Sequence, residues 1–127
     1  MLRILLVEEK TPFRDALQQL LQNRFPNADV TAVDTCEEAE EKIALLVPEF
    51  VFINIHLSTA KGLEVVRKAK IKHSGITFLA LADSDLPEYH VASRRSGADF
   101  FIPRDQWSGE KMIALVDTLL VAVDDNG

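Results

Sequence analysis

At 127 residues, with 14 basic against 20 acidic side chains and a net charge of -6, the chain has the size of one domain, 1–127, burying roughly two thirds of its unfolded surface. The acidic balance argues against a nonspecific grip on nucleic acid and suits a soluble cytoplasmic protein. A lone cysteine, Cys36, excludes an intrachain disulfide and points to a reducing compartment, and no apolar run approaches the ~18 residues of a membrane span.

The opening MLRILLVEEK reaches two acids after a few apolar residues, so Arg3 to Val7 reads as a strand and not as a signal peptide. Thr11 and Pro12 open a helix, the hydroxyl at the cap and the proline in the first turn, where its missing N–H is harmless. Phe13, Ala16, Leu17, Leu20 and Leu21 give it one apolar face until Phe25-Pro26-Asn27 breaks it. Val30 to Val33 is a weaker second strand. Thr35 followed by Glu38 is a capping box, and Ala39, Ile43, Leu46 and Val47 mark a helix that Pro48 terminates. Cys36, just inside it, reads as a small packing or surface residue, with a reactive thiol as the alternative.

Phe50 to Ile53 is an unbroken aromatic and β-branched run, expected to be a strand covered on both faces, with Asn54 at its carboxyl end. Gly62 closes the following loop, and Leu63, Val66 and Ala69 or Lys70 define a short basic helix stopped near Gly75. Ile76 to Leu81 is the fourth strand. Asp85 to Glu88 reads as a second capping box, opening a helix thin in apolar residues that Gly97 ends. So little apolar surface predicts a weakly held helix, free to move or to meet a partner. Phe100 to Pro103 is a short edge strand, tolerant of its proline. Ser108 caps a last helix through Met112, Val116, Leu119, Leu120 and Val123, with Asp124 to Gly127 expected to fray.

Five strands alternating with five helices predict βαβ units, a parallel sheet with helices on both faces, and strand order 2-1-3-4-5. Ligands bind such sheets at the carboxyl ends of the strands, beside the switch point between strands 1 and 3, which sets Glu8 and Glu9 next to Asn54. Two carboxylates there could hold a divalent cation such as magnesium, which prefers oxygen ligands. Alternatively they are solvated acids at a strand end. No glycine-rich phosphate loop follows any strand, so nucleotide binding finds little support.

LRILLVEEK, PEFVFINIHLSTAKGLEVV and SGADFFIPRD together resemble the first strand with its acid pair, the third strand with its loop, and the last strand of response-regulator receiver domains from two-component signalling. The resemblance covers essentially the whole chain and implies the flavodoxin-like receiver fold, with helices 1 and 5 on one face and 2, 3 and 4 on the other. In that family an aspartate at the position of Asn54 takes a phosphoryl group. An amide is neutral and a poor nucleophile, so Asn54 cannot form the acyl phosphate. Glu9 stands where aspartate is usual, and its extra methylene, with the charge lost at Asn54, should weaken any magnesium site. Ala82 occupies the place of the hydroxyl that bonds the phosphoryl group. Arg104 replaces the lysine that pairs with it, keeping charge but not ammonium geometry. Phe101 sits at the aromatic switch position without a hydroxyl, and Ser58 replaces a loop proline.

Altered together, these positions imply a degenerate receiver, a signalling module and not an enzyme, independent of phosphorylation at the usual site and acting through protein contacts. The resemblance places the contact surface on helix 4, strand 5 and helix 5, for an output domain, another protein or a second copy. The alternative is a magnesium-dependent phosphoacceptor with an atypical nucleophile such as His56 or Ser58. A chain ending soon after helix 5 is compatible with a whole protein or with the amino-terminal part of a longer one carrying a DNA-binding output domain. Ser58 and Thr59 read as loop or cap hydrogen-bonding residues, with phosphorylation by a different kinase as the alternative. The basic segment Lys61, Arg67, Lys68, Lys70, Lys72 and His73, with Arg94-Arg95, is a solvated face or a dock for an acidic protein patch. Trp107 is expected as a packing anchor or an interface residue, and Tyr89 and His90 belong to helix 4.

Overall fold

A computed structural model describes residues 1–57 and 62–126, with side chains through residue 121. Ser58, Thr59, Lys61 and the side chain of Val123 therefore lie outside the described residues. The strands are β1 (Arg3–Val7), β2 (Asp29–Val33), β3 (Phe50–Asn54), β4 (Thr77–Ala82) and β5 (Phe100–Pro103). They form one parallel sheet in the order β2-β1-β3-β4-β5, the flavodoxin-like arrangement that the alternation of elements predicts.

The unbroken apolar runs have a simple cause: each central strand is covered on both faces, so successive side chains enter different cores. Leu5, Val7, Val51, Ile53 and Phe78 pack with residues of α2 (Cys36–Leu46) and α3 (Gly62–Lys72). Ile4, Leu6, Phe50, Phe52, Leu79 and Leu81 pack instead with α1 (Pro12–Arg24) and α5 (Gly109–Asn126). A smaller cluster of Ile55, Ala80 and Ala82 meets Tyr89 of α4 (Pro87–Ser96) and Phe101. Helices α1 and α5 thus share one face, and α2, α3 and α4 the other. Trp107 packs half-buried against the α1/α5 core, as an anchor would.

Most helix ends follow their local chemistry. The Thr11 hydroxyl accepts the Arg14 N–H at 3.3 Å, with Pro12 in the first turn. Thr35 accepts the Glu38 N–H at 3.1 Å, but the Glu38 carboxylate returns to the Thr35 hydroxyl, also at 3.1 Å, completing only half of the capping box. Cys36 is buried at the first turn of α2, a packing residue. Gly97, at φ 103°, ends α4 in the left-handed region, and Ala98 N–H bonds back to Ser93 O at 3.1 Å.

β2 starts one residue earlier and β4 lies one residue later than expected, Val47 caps α2 in the left-handed region instead of joining it, and two further helix ends also differ from expectation. Asp85 does not cap α4: Pro87 fills the first helical position, so the cap falls on Leu86, which makes no side-chain bond, and Asp85 pairs with His90 instead. Helix α5 runs through Asn126, past Asp124, with no proline or glycine to stop it before Gly127, which lies outside the described residues. The thinness of α4 holds, Ser93 being its buried residue.

Candidate functional site

Parallel pairing of Val7 with Ile53 carries the two chains to the sheet edge in step, so the next residues, Glu8 and Asn54, emerge side by side. Both are buried, at 2% and 8% exposure. Burying a carboxylate is costly unless its charge and its oxygens find partners. Glu8 has both. Its Oε1 accepts the Asn54 Nδ2 amide at 2.8 Å and the Glu9 backbone N–H at 3.1 Å, while Oε2 accepts Arg104 Nη1 at 2.7 Å. The Glu8 N–H in turn donates to Val33 O at 3.1 Å.

The orientation of the Asn54 amide follows from its neighbours. Its Oδ1 accepts the His56 backbone N–H at 2.8 Å, so its NH2 must face the carboxylate. Residue 54 therefore acts as a donor bridging β1 and β3. The start of α3 fits closely beneath it: a Cβ on Gly62 would stand 2.6 Å from the Asn54 carbonyl oxygen, so the position requires glycine.

Arg104, following β5, closes the other side. Its Nη2 pairs with Asp83 at the end of β4, and its guanidinium lies 5.1 Å from the Phe13 ring centroid. A second arginine, Arg14, donates to the Glu8 carbonyl at 3.1 Å and pairs with Asp34. The edge is thus a network of two carboxylates, an amide and a guanidinium, in which Glu8 and Arg104, 96 residues apart, are in direct contact.

The other singled-out residues lie around it. Glu8 and Glu9 are placed differently: Glu9 is exposed, and among the described residues its N–H is what it contributes to this network. Glu8 is not a solvated acid. Ala82 is buried at the end of β4 in register with Pro103, presenting a methyl group. Phe101 is half-buried, its ring 3.8 Å from that of His90. His56 stands beyond the strand end, stacked edge-on against Tyr89 at 4.7 Å, with Nε2 3.9 Å from Asp83 Oδ2. Asp83, Arg14 and Phe13 join the site without having been singled out. Asp83 follows β4 directly, so the strand-end rule that marked Glu8 and Asn54 applies to it equally. Nothing local marks Arg14. Among the described residues, no group of three or more His, Cys, Asp or Glu side chains is placed to hold a metal ion.

The family model of the response regulator receiver domain matches residues 4–117. Response regulator MprA of Mycobacterium leprae is 27% identical over 119 residues, covering 94% of this chain and 51% of the relative. The sensory transduction protein BceR of Halalkalibacterium halodurans is 31% identical over 105 residues, covering 82% and 44% respectively. The chain spans about half the length of these curated relatives. Among solved structures, a CheY-like response regulator receiver domain from Methanospirillum hungatei superposes with a TM-score of 0.86 at 24% identity, covering 100% of this chain and 99% of that one. A match over this much of the chain, on a sheet of the same order, leads to one conclusion: the chain belongs to the response regulator receiver domain family of two-component signalling.

Proposed function

We propose that residues 1–127 form a single receiver-like domain that signals through protein contact and is not phosphorylated at residue 54. The observation that carries this reading is the Asn54 amide, which donates to Glu8 while Arg104 takes the second carboxylate oxygen. The position equivalent to the phosphoacceptor is committed as a hydrogen-bond donor, and it has no nucleophilic oxyanion. Ala82 offers no hydroxyl to a phosphoryl group, and Phe101 none to a partner. On this reading the network stands in one state, and it needs no cofactor. Magnesium at Glu8 and Glu9 would have to displace Arg104 or the Asn54 amide, so any such binding is weak.

The contact surface, on this reading, is α4, β5 and α5. Leu86 and Val91 at α4 and Val121 on α5 are exposed, as are Arg94 and Arg95 on α4, apolar and basic groups suited to an output domain, another protein or a second copy. The domain works in the cytoplasm as a signalling module and not as an enzyme. It makes no direct contact with nucleic acid or membrane, and any DNA binding belongs to an output domain.

Intact mass after incubation with acetyl phosphate and magnesium tests the reading, on the native chain and on Asn54→Asp. No adduct on the native chain is expected; an adduct there overturns the proposal. One observation favours a second reading: His56 Nε2 is buried without a hydrogen-bond partner among the described residues. An adduct lost in His56→Ala would assign the chemistry to that imidazole, and one lost in Ser58→Ala would assign it to that hydroxyl.

A further inference from the structure

The basic run on α3 lies next to an acidic helix. Helix α2 carries Glu37, Glu38, Glu40 and Glu41 against Lys42, and α3 carries Arg67, Lys68, Lys70 and Lys72 against Glu64. Some of this charge is satisfied within the chain. Lys70 Nζ donates to Ile76 O at 2.8 Å and pairs with Asp99 at 2.9 Å, and Arg67 pairs with Glu64. Lys68 approaches Glu40 only to 3.9 Å, and Glu37, Glu41 and Lys72 form no ion pair among the described residues. Between the helices runs a groove of about 300 Å³, floored by Ile43, Val65 and Ala69 and lined also by the exposed Ala44. Glu40 stands on one wall, and Lys68 and Lys72 on the other. At the carboxyl ends of the two helices Leu45 and Ile71 are 74% and 75% exposed. Isolated apolar side chains in water are ordinary, but Ile71 lines this apolar groove, and Leu45 follows its lining residue Ala44 in the chain.

We propose that this groove is a self-association surface, occupied by a second copy of the chain whose α2 lies on α3 of the first. Opposite charge on the two walls selects the symmetry. A two-fold axis in the interface runs either across the helices or along them. Across them, α2 would meet α2 and α3 would meet α3, with like charges opposed. Along them, each acidic helix meets a basic one. The same axis keeps all four carboxyl ends together, because helices following consecutive parallel strands on one face run in the same direction. Ile71 of each copy then covers Ala44 and Leu45 of the other. Charge complementarity and burial of the apolar tips are met by one operator. The surface lies away from the Glu8–Asn54 edge and leaves α4, β5 and α5 open, so it does not rest on the function proposed above.

Light scattering or sedimentation of the 127-residue chain over a concentration series reads the association directly. The expected result is a monomer–dimer equilibrium that weakens as salt rises. Ile71→Ser should weaken it by roughly tenfold or more through lost apolar burial. Two charge variants identify the faces. One carries Glu37→Lys, Glu40→Lys and Glu41→Lys; the other carries Lys68→Glu and Lys72→Glu. Each alone should be monomeric, and an equimolar mixture should pair. All these positions are exposed, and circular dichroism checks that each variant is folded; Ile71→Ser carries the test if a charge variant is not. A native chain that stays monomeric at every concentration overturns the proposal. So does a dimer indifferent to Ile71→Ser, or one abolished by Val91→Glu on α4.

Discussion

Where β1 meets β3, a buried carboxylate has donors on both oxygens and a guanidinium alongside. On α4, by contrast, most side chains reach water, and the buried Ser93 hydroxyl has no hydrogen-bond partner among the described residues. Both regions border the same sheet, yet one is closed and the other loosely attached. A closed polar network has a single low-energy arrangement and resists change, whereas a thinly packed helix opens at little cost. Were the receiver to adjust on binding, the adjustment would therefore begin at α4.

The strongest way to break the closed region is Arg104→Ala. It leaves the Glu8 charge buried with only neutral donors, and urea unfolding should show a loss of about 3–5 kcal/mol. Adding Glu8→Gln sharpens the measurement. With the carboxylate charge gone, the further effect of removing Arg104 should fall by more than about 1 kcal/mol, a coupling that independent sites would not show.

Asn54→Asp attacks the same network from the β3 side. It replaces a donor by a second anion against Glu8 and should cost about 2–3 kcal/mol. Magnesium should then stabilise this variant while leaving the native chain unchanged, because only the variant has two carboxylates in need of a cation. Equal stabilisation of both by magnesium would contradict the account of the network as self-sufficient.

Gly62→Ala tests the fit of α3 under β3. Its added Cβ must push against the Asn54 carbonyl, so a loss of about 1–3 kcal/mol is expected in the same unfolding assay. The smallest effect, and the opposite sign, is expected on the loose side. Ser93→Ala removes an unbonded buried hydroxyl and improves helix propensity, and should raise stability by about 1 kcal/mol. Hydrogen exchange in α4 should slow in that variant with little change at β1 and β3.

Much of the fold can be read along the chain because its determinants are local. The runs at Ile4 to Val7 and Phe50 to Ile53 announce doubly covered strands, and Thr11, Thr35 and Gly97 mark helix ends through bonds spanning a few residues. Asp85 shows the limit of such rules. Two signals compete there, the spacing of acid to Glu88 and the proline at position 87, and the fixed φ of the proline prevails by placing the cap on Leu86.

The sequence by itself determined that the chain alternates strands and helices, that Glu8 and Asn54 stand at strand ends, and that residue 54 carries an amide. It could not separate Glu8 from Glu9. One is buried and the other exposed only because the β1–β3 register turns Glu8 toward Asn54. It could not join Arg104 to Glu8, nor Asp83 to Arg104, since those contacts cross 96 and 21 residues of chain and exist only once β4 lies beside β3 and β5 beside β4. Local hydrogen bonds and periodicity are written in neighbouring residues. Which charges neutralise one another in a buried site depends on strands that meet only in the folded sheet, and that was decided by tertiary structure alone.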